Sequence, residues 1–105
     1  MKMNFNNQGY TTQGYINEIP LVVQFMLSSM LHTRIQKQKQ VDYLQVFKLS
    51  REQNEQGVIC QKIIHEQEVP PMKDVYYLVT DEAINETVFC IDDEDHHTFL
   101  LSREY

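Results

Sequence analysis

The sequence predicts an α+β domain in which one long helix packs on a curved, mainly antiparallel sheet. Apolar residues recur with helical spacing after Pro20, and from Val41 onward apolar, β-branched segments alternate with polar turns. A length of 105 residues suits a single domain over residues 1–105. A strand, a helix and then a run of strands form a two-layer domain, and this element order is cystatin-like.

The segment before the helix is polar. Residues 1–9 are expected to form a poorly ordered tail, and Tyr10–Ile16 is predicted to be a weak strand. The tail lacks the apolar run of a signal peptide. The most apolar stretch, Leu21–Leu31, is interrupted by polar residues and is shorter than the ~20 residues that a membrane span needs. We therefore expect a cytoplasmic protein without a membrane partner.

The long helix is predicted to begin within a few residues of Pro20 and to end near Lys39. Its apolar stripe has spacings of three and four and consists of Ile19, Val23, Met26 and Met30. Proline suits the first turn, where its missing N–H is not needed, and Asn17 is a candidate cap. The basic stretch Arg34–Gln40 falls at the predicted C-terminal end, where cations complement the negative pole of the helix dipole.

Two large apolar side chains at the start of the helix fall outside this stripe. Leu21 and Phe25 project away from it, so the first two turns are apolar almost all round. A curved sheet could cover them, or a second copy of the chain could. Leu21 and Phe25 are therefore candidate interface residues of a homodimer, and an exposed strand edge is the alternative place for such an interface.

The hydrophobic period becomes strand-like after the helix. Val41–Leu49 and Val58–Val69 are predicted strands of a hairpin whose polar loop ends in Gly57. The two prolines at positions 70 and 71 stop the second strand, because proline cannot donate to a sheet ladder. Further strands are predicted over Asp74–Thr80, Thr87–Asp92 and Thr98–Ser102. The residues expected to be largely buried are Val23, Met26, Leu27, Met30, Phe47, Ile64 and Leu100.

The cysteine content and the net charge indicate the cellular compartment and the kinds of partner to expect. Cys60 and Cys90 fall in apolar strand segments and, without a secretory signal, are predicted to be reduced and buried. With 15 acidic against 9 basic residues, the formal net charge is −6. Phosphate backbones attract cationic surfaces, so direct nucleic-acid binding is not expected.

The stretch Asp92–His97 concentrates four carboxylates and two imidazoles. An EF-hand loop that began at Asp93 would need glycine where Thr98 stands. The candidate ligands for another metal, such as zinc, are Asp93, Asp95, His96 and His97. Adjacent histidines on an extended chain point to opposite sides, so the favoured prediction is a solvent-exposed hairpin turn without bound metal. Its carboxylates are expected to hold protons on the imidazoles.

A second candidate cluster consists of His65, Glu66 and Glu68. It begins like the HExxH signature of zinc proteases, but Val69 takes the place of the last histidine and the context is a strand. Glu66 and Glu68 would share one face of that strand and could act as an acid–base pair. Paired carboxylates near a strand end are more typical of a solvated edge. Because no nucleotide-binding loop or nucleophile motif occurs, no cofactor is expected.

Four stretches of the chain resemble a small family, catalogued as a domain of unknown function, from Gram-positive bacteria and their phages. They are GYINEIP, VDYLQVFKL, KIIHEQEVP and CIDDEDHHTFLLSREY, in the family's order and at about its spacing. The resemblance covers roughly Tyr10 to Tyr105. The family usually carries glycine where this acidic turn has Glu94. The resemblance implies a bacterial or phage cytosolic source, agrees with the helix-on-sheet fold and supplies no catalytic residue.

Three classes of function follow from these observations. A non-catalytic binding or interaction module is favoured, because no reaction site is assembled and apolar surface is in excess. Its partner would be another protein or a second copy. The alternatives are a metal- or carboxylate-dependent enzyme that uses the two clusters above, and an acidic phage protein that mimics nucleic acid and blocks a cationic partner.

Overall fold

The structure, a computed structural model, describes residues 5–38 and 40–105. Its helices are α1 (Gln13–Glu18) and α2 (Leu21–Lys37). Its strands are β1 (Gln8–Thr11), β2 (Leu44–Gln53), β3 (Ile59–Gln67), β4 (Met72–Val79), β5 (Glu86–Asp92) and β6 (His96–Leu101). A 3₁₀ turn, Ser102–Glu104, follows the last strand. Within the described residues, neither helix is long and apolar enough to cross a membrane.

The six strands form one sheet in the order β1-β6-β5-β2-β3-β4. Neighbouring strands are antiparallel, except that β1 runs parallel to β6. β5 and β6 lie on the opposite side of β2 from β3 and β4, so the strands do not follow one another across the sheet in chain order. One long helix with a mostly antiparallel sheet confirms the predicted α+β class, whereas the cystatin-like order and the curvature stay predictions.

The long helix begins and ends close to its predicted bounds. α2 starts directly after Pro20 and ends at Lys37, while Lys39, where its end was expected, lies outside the described residues. Its buried stripe consists of Val23, Leu27, Leu31 and Arg34. This stripe packs on one face of the sheet, here called the inner face, in a core that includes Phe47, Ile63, Val88 and Phe99.

Two expectations for the N-terminal segment are wrong. The predicted strand Tyr10–Ile16 is divided between β1 and α1, so Asn17 lies inside a helix and does not cap α2. The reason is local, because the Thr12 hydroxyl accepts a hydrogen bond from the Tyr15 N–H at 3.2 Å and starts α1. Of the tail expected over residues 1–9, residues 1–4 lie outside the described residues, whereas Phe5 is buried.

Along the two central strands, buried residues alternate with more exposed ones, and this alternation determines which of the residues predicted to be buried are in the core. The inner-face residues of β2 and β3 are Gln45, Phe47, Leu49, Gln61, Ile63, His65 and Gln67. Val23, Leu27, Phe47 and Leu100 are buried as predicted. Met26 and Met30 are only half-buried because they lie at the margin of α2, and Ile64 is half-buried because Ile63 and His65 occupy the inner positions.

The β2–β3 hairpin extends further than the sequence predicts. β2 continues to Gln53, into the stretch predicted to be loop. The turn that follows contains Gly57 with a φ of +83°, a left-handed conformation that glycine adopts without a steric penalty. The predicted strand from Asp74 begins at Met72, shortly after the two prolines that end the hairpin's second strand.

Candidate binding groove and edge strand

A buried polar cluster centred on Arg34 links α2 to the inner face of the sheet. The guanidinium Nη1 donates to Gln45 Oε1 at 3.0 Å, and Nη2 donates to the His65 carbonyl at 3.0 Å and to Asp74 Oδ2 at 2.7 Å. The Arg34 side chain is 1% exposed and that of Asp74 is 61% exposed, so the ion pair connects the interior to the surface of β4. A buried cation needs such partners because its desolvation is costly.

His65 is fully buried within this cluster. Its Nε2 lies 2.7 Å from Gln45 Oε1, and its ring stacks on Phe47 with the centroids 4.2 Å apart. Burial, followed by the positive charge of Arg34, lowers the pKa of His65 to about 3, against an opposing effect of Asp74. His65 is therefore neutral near pH 7, and Nε2 carries the proton that it donates to the Gln45 oxygen.

The sequence places Arg34 at the C-terminal end of the helix, where its charge complements the helix dipole, and does not indicate its buried role. No local spacing reveals that role, because the carboxylate that pairs with Arg34 is on a distant strand. One signal was available, since β3 carries polar side chains at alternate positions, and these are Gln61, His65 and Gln67. Polar residues that repeat with the strand period on an otherwise apolar sheet indicate a hydrogen-bonded inner face.

A groove of about 300 Å³ lies between α2 and β4, next to the buried cluster. Its apolar lining includes Met26, Met30, Met72 and Tyr76. Arg34, Lys37 and Asp74 supply charge. The groove is open because α2 covers the central strands, whereas β4 lies at the margin of the sheet with most of its side chains exposed.

β4 is an eight-residue edge strand with exposed apolar side chains. Val75, Tyr77 and Val79 are 47%, 54% and 74% exposed. The Thr80 N–H, just after β4, donates a hydrogen bond to the Ile59 carbonyl at 3.3 Å, so Thr80 and Ile59 form a hydrogen-bonded pair. In antiparallel strands, hydrogen-bonded pairs alternate with pairs that are not hydrogen-bonded. Even-numbered residues of β4 therefore bond to β3. The residues that turn their backbone N–H and C=O outward are Lys73, Val75, Tyr77 and Val79.

The start of α2 provides a second exposed apolar surface. Leu21 is 66% exposed and Phe25 is 68% exposed, so both project away from the buried stripe as the sequence predicts. The alternative that a curved sheet of the same chain covers them is wrong. Their role in an interface stays a prediction.

The structure separates the residues of the cluster His65, Glu66 and Glu68. His65 faces inward, whereas Glu66 is half-buried on the opposite face and pairs with Lys48 at 3.0 Å. Glu68 lies beyond the end of β3 at Gln67, so the prediction that both glutamates share a face of that strand is wrong. The geometry offers no acid–base pair at these positions.

The acidic turn is shorter than predicted, and the prediction that its whole length is solvent-exposed is wrong for Asp92. This residue ends β5 and is buried. Its carboxylate accepts hydrogen bonds from the Phe5 N–H at 3.1 Å and the Asn7 side-chain amide at 2.8 Å. Asp92 therefore anchors the N-terminal segment, and the turn itself spans residues 93–95 before β6 begins at His96.

The two histidines of this turn have different partners. His96 Nε2 lies 2.9 Å from Asp93, and His97 Nδ1 lies 2.7 Å from Asn7 Oδ1. Burial lowers the pKa of His97 despite the opposing charge of Asp92, so the expectation that carboxylates hold a proton on this imidazole is wrong. Within residues 5–38 and 40–105, no group of three or more histidine, cysteine or acidic residues is arranged to hold a metal ion.

Replacing Glu94 with glycine is expected to raise the free energy of unfolding by up to ~1 kcal/mol. Glu94 adopts a φ of +83°, which costs a residue with a Cβ atom roughly 1–2 kcal/mol, and the greater chain entropy of glycine offsets part of the gain. Urea unfolding would measure the difference. Asp95→Gly is the matched control, because it removes one charge at a position without positive φ. Equal effects of the two changes would contradict the conformational explanation.

Acidic residues lie at both ends of the sheet. The turn over residues 93–95 follows β5, whereas Asp81 and Glu82 lie in the loop that precedes it. Other carboxylates pair with cations, as Glu66 does with Lys48. A nucleic-acid mimic would need carboxylates aligned along one face, so this distribution does not favour that function.

Comparison with known proteins identifies the family of this chain and a protein of similar fold, and both are described as having unknown function. A family model described as "Staphylococcal protein of unknown function (DUF960)" matches residues 8–104. A crystal structure described as a protein of unknown function from Enterococcus faecalis is similar, with a TM-score of 0.76 and 17% identity over 100% of this chain and 98% of that chain. The comparison with curated proteins finds no match.

Proposed function

The chain belongs to the Staphylococcal family DUF960, and from that premise we propose that it is a non-catalytic, cytoplasmic protein-interaction module. This membership confirms the predicted uncharacterised Gram-positive family. The proposed activity is binding of an extended partner segment as an additional strand along β4. Strand addition draws affinity from main-chain hydrogen bonds and specificity from side-chain contacts at alternate positions.

The outward edge of β4 is the observation that carries this proposal. Four residues present their backbone groups to solvent, and three of them, Val75, Tyr77 and Val79, have exposed apolar side chains. Proteins usually protect such an edge with charges, proline or a covering loop, because it would otherwise pair with other chains. Among the four outward residues of β4, Lys73 is charged and the other three are apolar. A long edge with so little protection is suited to a partner strand.

The reactive groups do not favour the enzyme alternative. The two predicted carboxylate clusters are separated or occupied by structural hydrogen bonds. Burial raises the pKa of the Cys90 thiol, so this cysteine is a weak nucleophile. Cys90 is buried as predicted, whereas Cys60 is only half-buried because it lies on the outer face of β3.

A library of random 12-residue peptides tests strand addition whatever the identity of the natural partner. Selected peptides are expected to bind Val75→Pro about tenfold or more weakly than the wild-type chain, because proline removes an outward N–H and its ring obstructs the added strand. Val75→Ala, which keeps the N–H, is the matched control and should lose less affinity. Fluorescence anisotropy would measure the dissociation constants.

The proline variant is expected to keep its fold. The Val75 N–H points away from β3, so its loss removes no hydrogen bond of the sheet. Circular dichroism and thermal unfolding would verify this before binding is measured. Peptides that bind the proline variant as tightly as the wild-type chain would contradict the proposed function.

A further inference from the structure

We propose that the strand added to β4 is β4 of a second copy, antiparallel to the first and centred on Tyr76. This inference rests on the proposed function and names its partner. A two-fold axis perpendicular to the strands makes neighbouring edges antiparallel, so one edge can pair with itself. The two sheets would then form one continuous sheet across the dimer.

The positions of the outward backbone groups select one register. When Tyr76 lies opposite Tyr76, all four outward residues of each strand have an outward residue opposite them, with Lys73 facing Val79 and Val75 facing Tyr77. A shift of two residues in one direction brings in Pro71, which has no N–H to donate. A shift in the other direction pairs a residue beyond Val79, where β4 ends.

The side chains are also complementary in this register. Val75 and Tyr77 of opposite copies would meet twice on the outer face of the sheet, and pairs of β-branched and aromatic residues stabilise antiparallel strands. The two Tyr76 side chains would meet on the inner side, beside the groove that Tyr76 lines. Their position is a non-hydrogen-bonded pair, in which side chains approach most closely.

Charges do not oppose this pairing, although each chain has a formal net charge of −6. Lys73 would face Val79, and Asp74 would face Leu78, so no like charges lie directly opposite each other. The net repulsion of two acidic chains weakens with added salt, so dimerisation should strengthen as ionic strength rises.

The opposite edge of the sheet is less suited to self-association. β1 has four residues, so it offers half the length of β4. Leu21 and Phe25 provide apolar surface on α2 but no unpaired strand backbone. β4 combines apolar side chains with a row of backbone donors and acceptors.

A charge-exchange experiment at Tyr76 tests the predicted axis. Light scattering over a concentration series should give a mass that approaches about 25 kDa for the wild-type chain, twice its 12.5 kDa. Tyr76→Lys and Tyr76→Glu each place like charges opposite each other and should give 12.5 kDa. An equimolar mixture of the two variants should return to the dimer mass, because the opposing residues are then oppositely charged.

Three results would overturn the inference. The wild-type chain could stay at 12.5 kDa at every concentration, the single variants could remain dimeric, or the mixture could stay monomeric. Phe25→Lys is the control for the helix surface and should leave the dimer unchanged, whereas a dimer that it dissociates would place the interface on α2. If the wild-type chain is monomeric but binds library peptides that Val75→Pro rejects, the proposed function stands and the self-pairing fails.

Discussion

Replacing Arg34 with alanine is expected to lower the free energy of unfolding by about 2–4 kcal/mol. The guanidinium is buried and donates to Gln45 Oε1, to the His65 carbonyl and to Asp74. Without it, Gln45 Oε1 keeps the His65 Nε2 donor and the His65 carbonyl keeps its backbone partner in β4, but each loses a hydrogen bond from a charged donor, and such a bond contributes about 1.5–3 kcal/mol. The missing side chain also leaves a cavity between α2 and the sheet, which adds to the loss.

Arg103→Ala is the matched control for this change. Arg103 pairs with Glu18 and Glu86 through a side chain that is 59% exposed, and exposed pairs contribute about 0–1 kcal/mol. Urea unfolding at neutral pH would compare both variants with the wild-type chain. A loss at position 34 no larger than the loss at position 103 would mean that the buried cluster does not support the fold.

Acidification is expected to destabilise the wild-type chain through His65 by about 2–3 kcal/mol between pH 7 and 4.5. The unfolded chain binds this proton with a pKa near 6.5, whereas the pKa of the buried imidazole is about 3. Between these values the unfolded state holds more protons than the folded state, so the free energy of unfolding falls as the pH falls. The free energy of unfolding falls by up to about 1.4 kcal/mol per pH unit in this range. Above pH 6.5 the imidazole is neutral in both states, so His65 causes no loss of stability there.

His65→Gln separates this contribution from those of the other titrating groups. Glutamine can donate to Gln45 Oε1 and does not titrate, so the variant should lose less stability on acidification than the wild-type chain. His97 has a pKa that burial also lowers, but it is present in both proteins and its effect cancels in the comparison. Urea unfolding at pH 7, 6, 5 and 4.5 would give the two profiles. Parallel profiles would show that His65 is not the acid-sensitive group.

Hydrophobic period predicts the elements of this fold but not the face that each strand buries. α2 has a stripe with helical spacing, and the later segments have strand composition, so the α+β class follows from the sequence. In β3, however, both parities carry apolar residues, with Cys60 and Ile64 on one face and Ile59 and Ile63 on the other. The inner face is the one that carries His65, whose Nε2 hydrogen-bonds to Gln45 Oε1 in the buried cluster.

Buried ionic contacts were the least predictable part of the site. A cation near the end of a helix is usually solvated, and the burial of Arg34 depends on Asp74, which is remote in sequence. Asp92 is a similar case, because its neighbours indicate an exposed turn while the N-terminal segment covers it. The orientation of Leu21 and Phe25 away from the buried stripe follows from helical geometry, but their exposure does not, because the sequence equally allows a curved sheet to cover them.

The parallel pairing of β1 with β6 has a consequence for the order in which the chain folds during synthesis. Of the six strands of this sheet, β1 is synthesised first, yet its neighbour β6 is synthesised last. α2 and the β2–β3 hairpin can assemble from local contacts while translation continues. The β1 segment must wait for β6, and Phe5 and Asn7 must wait for Asp92. We therefore expect β1 to be the last of these six strands to dock, after the hairpin of β5 and β6 has left the exit tunnel.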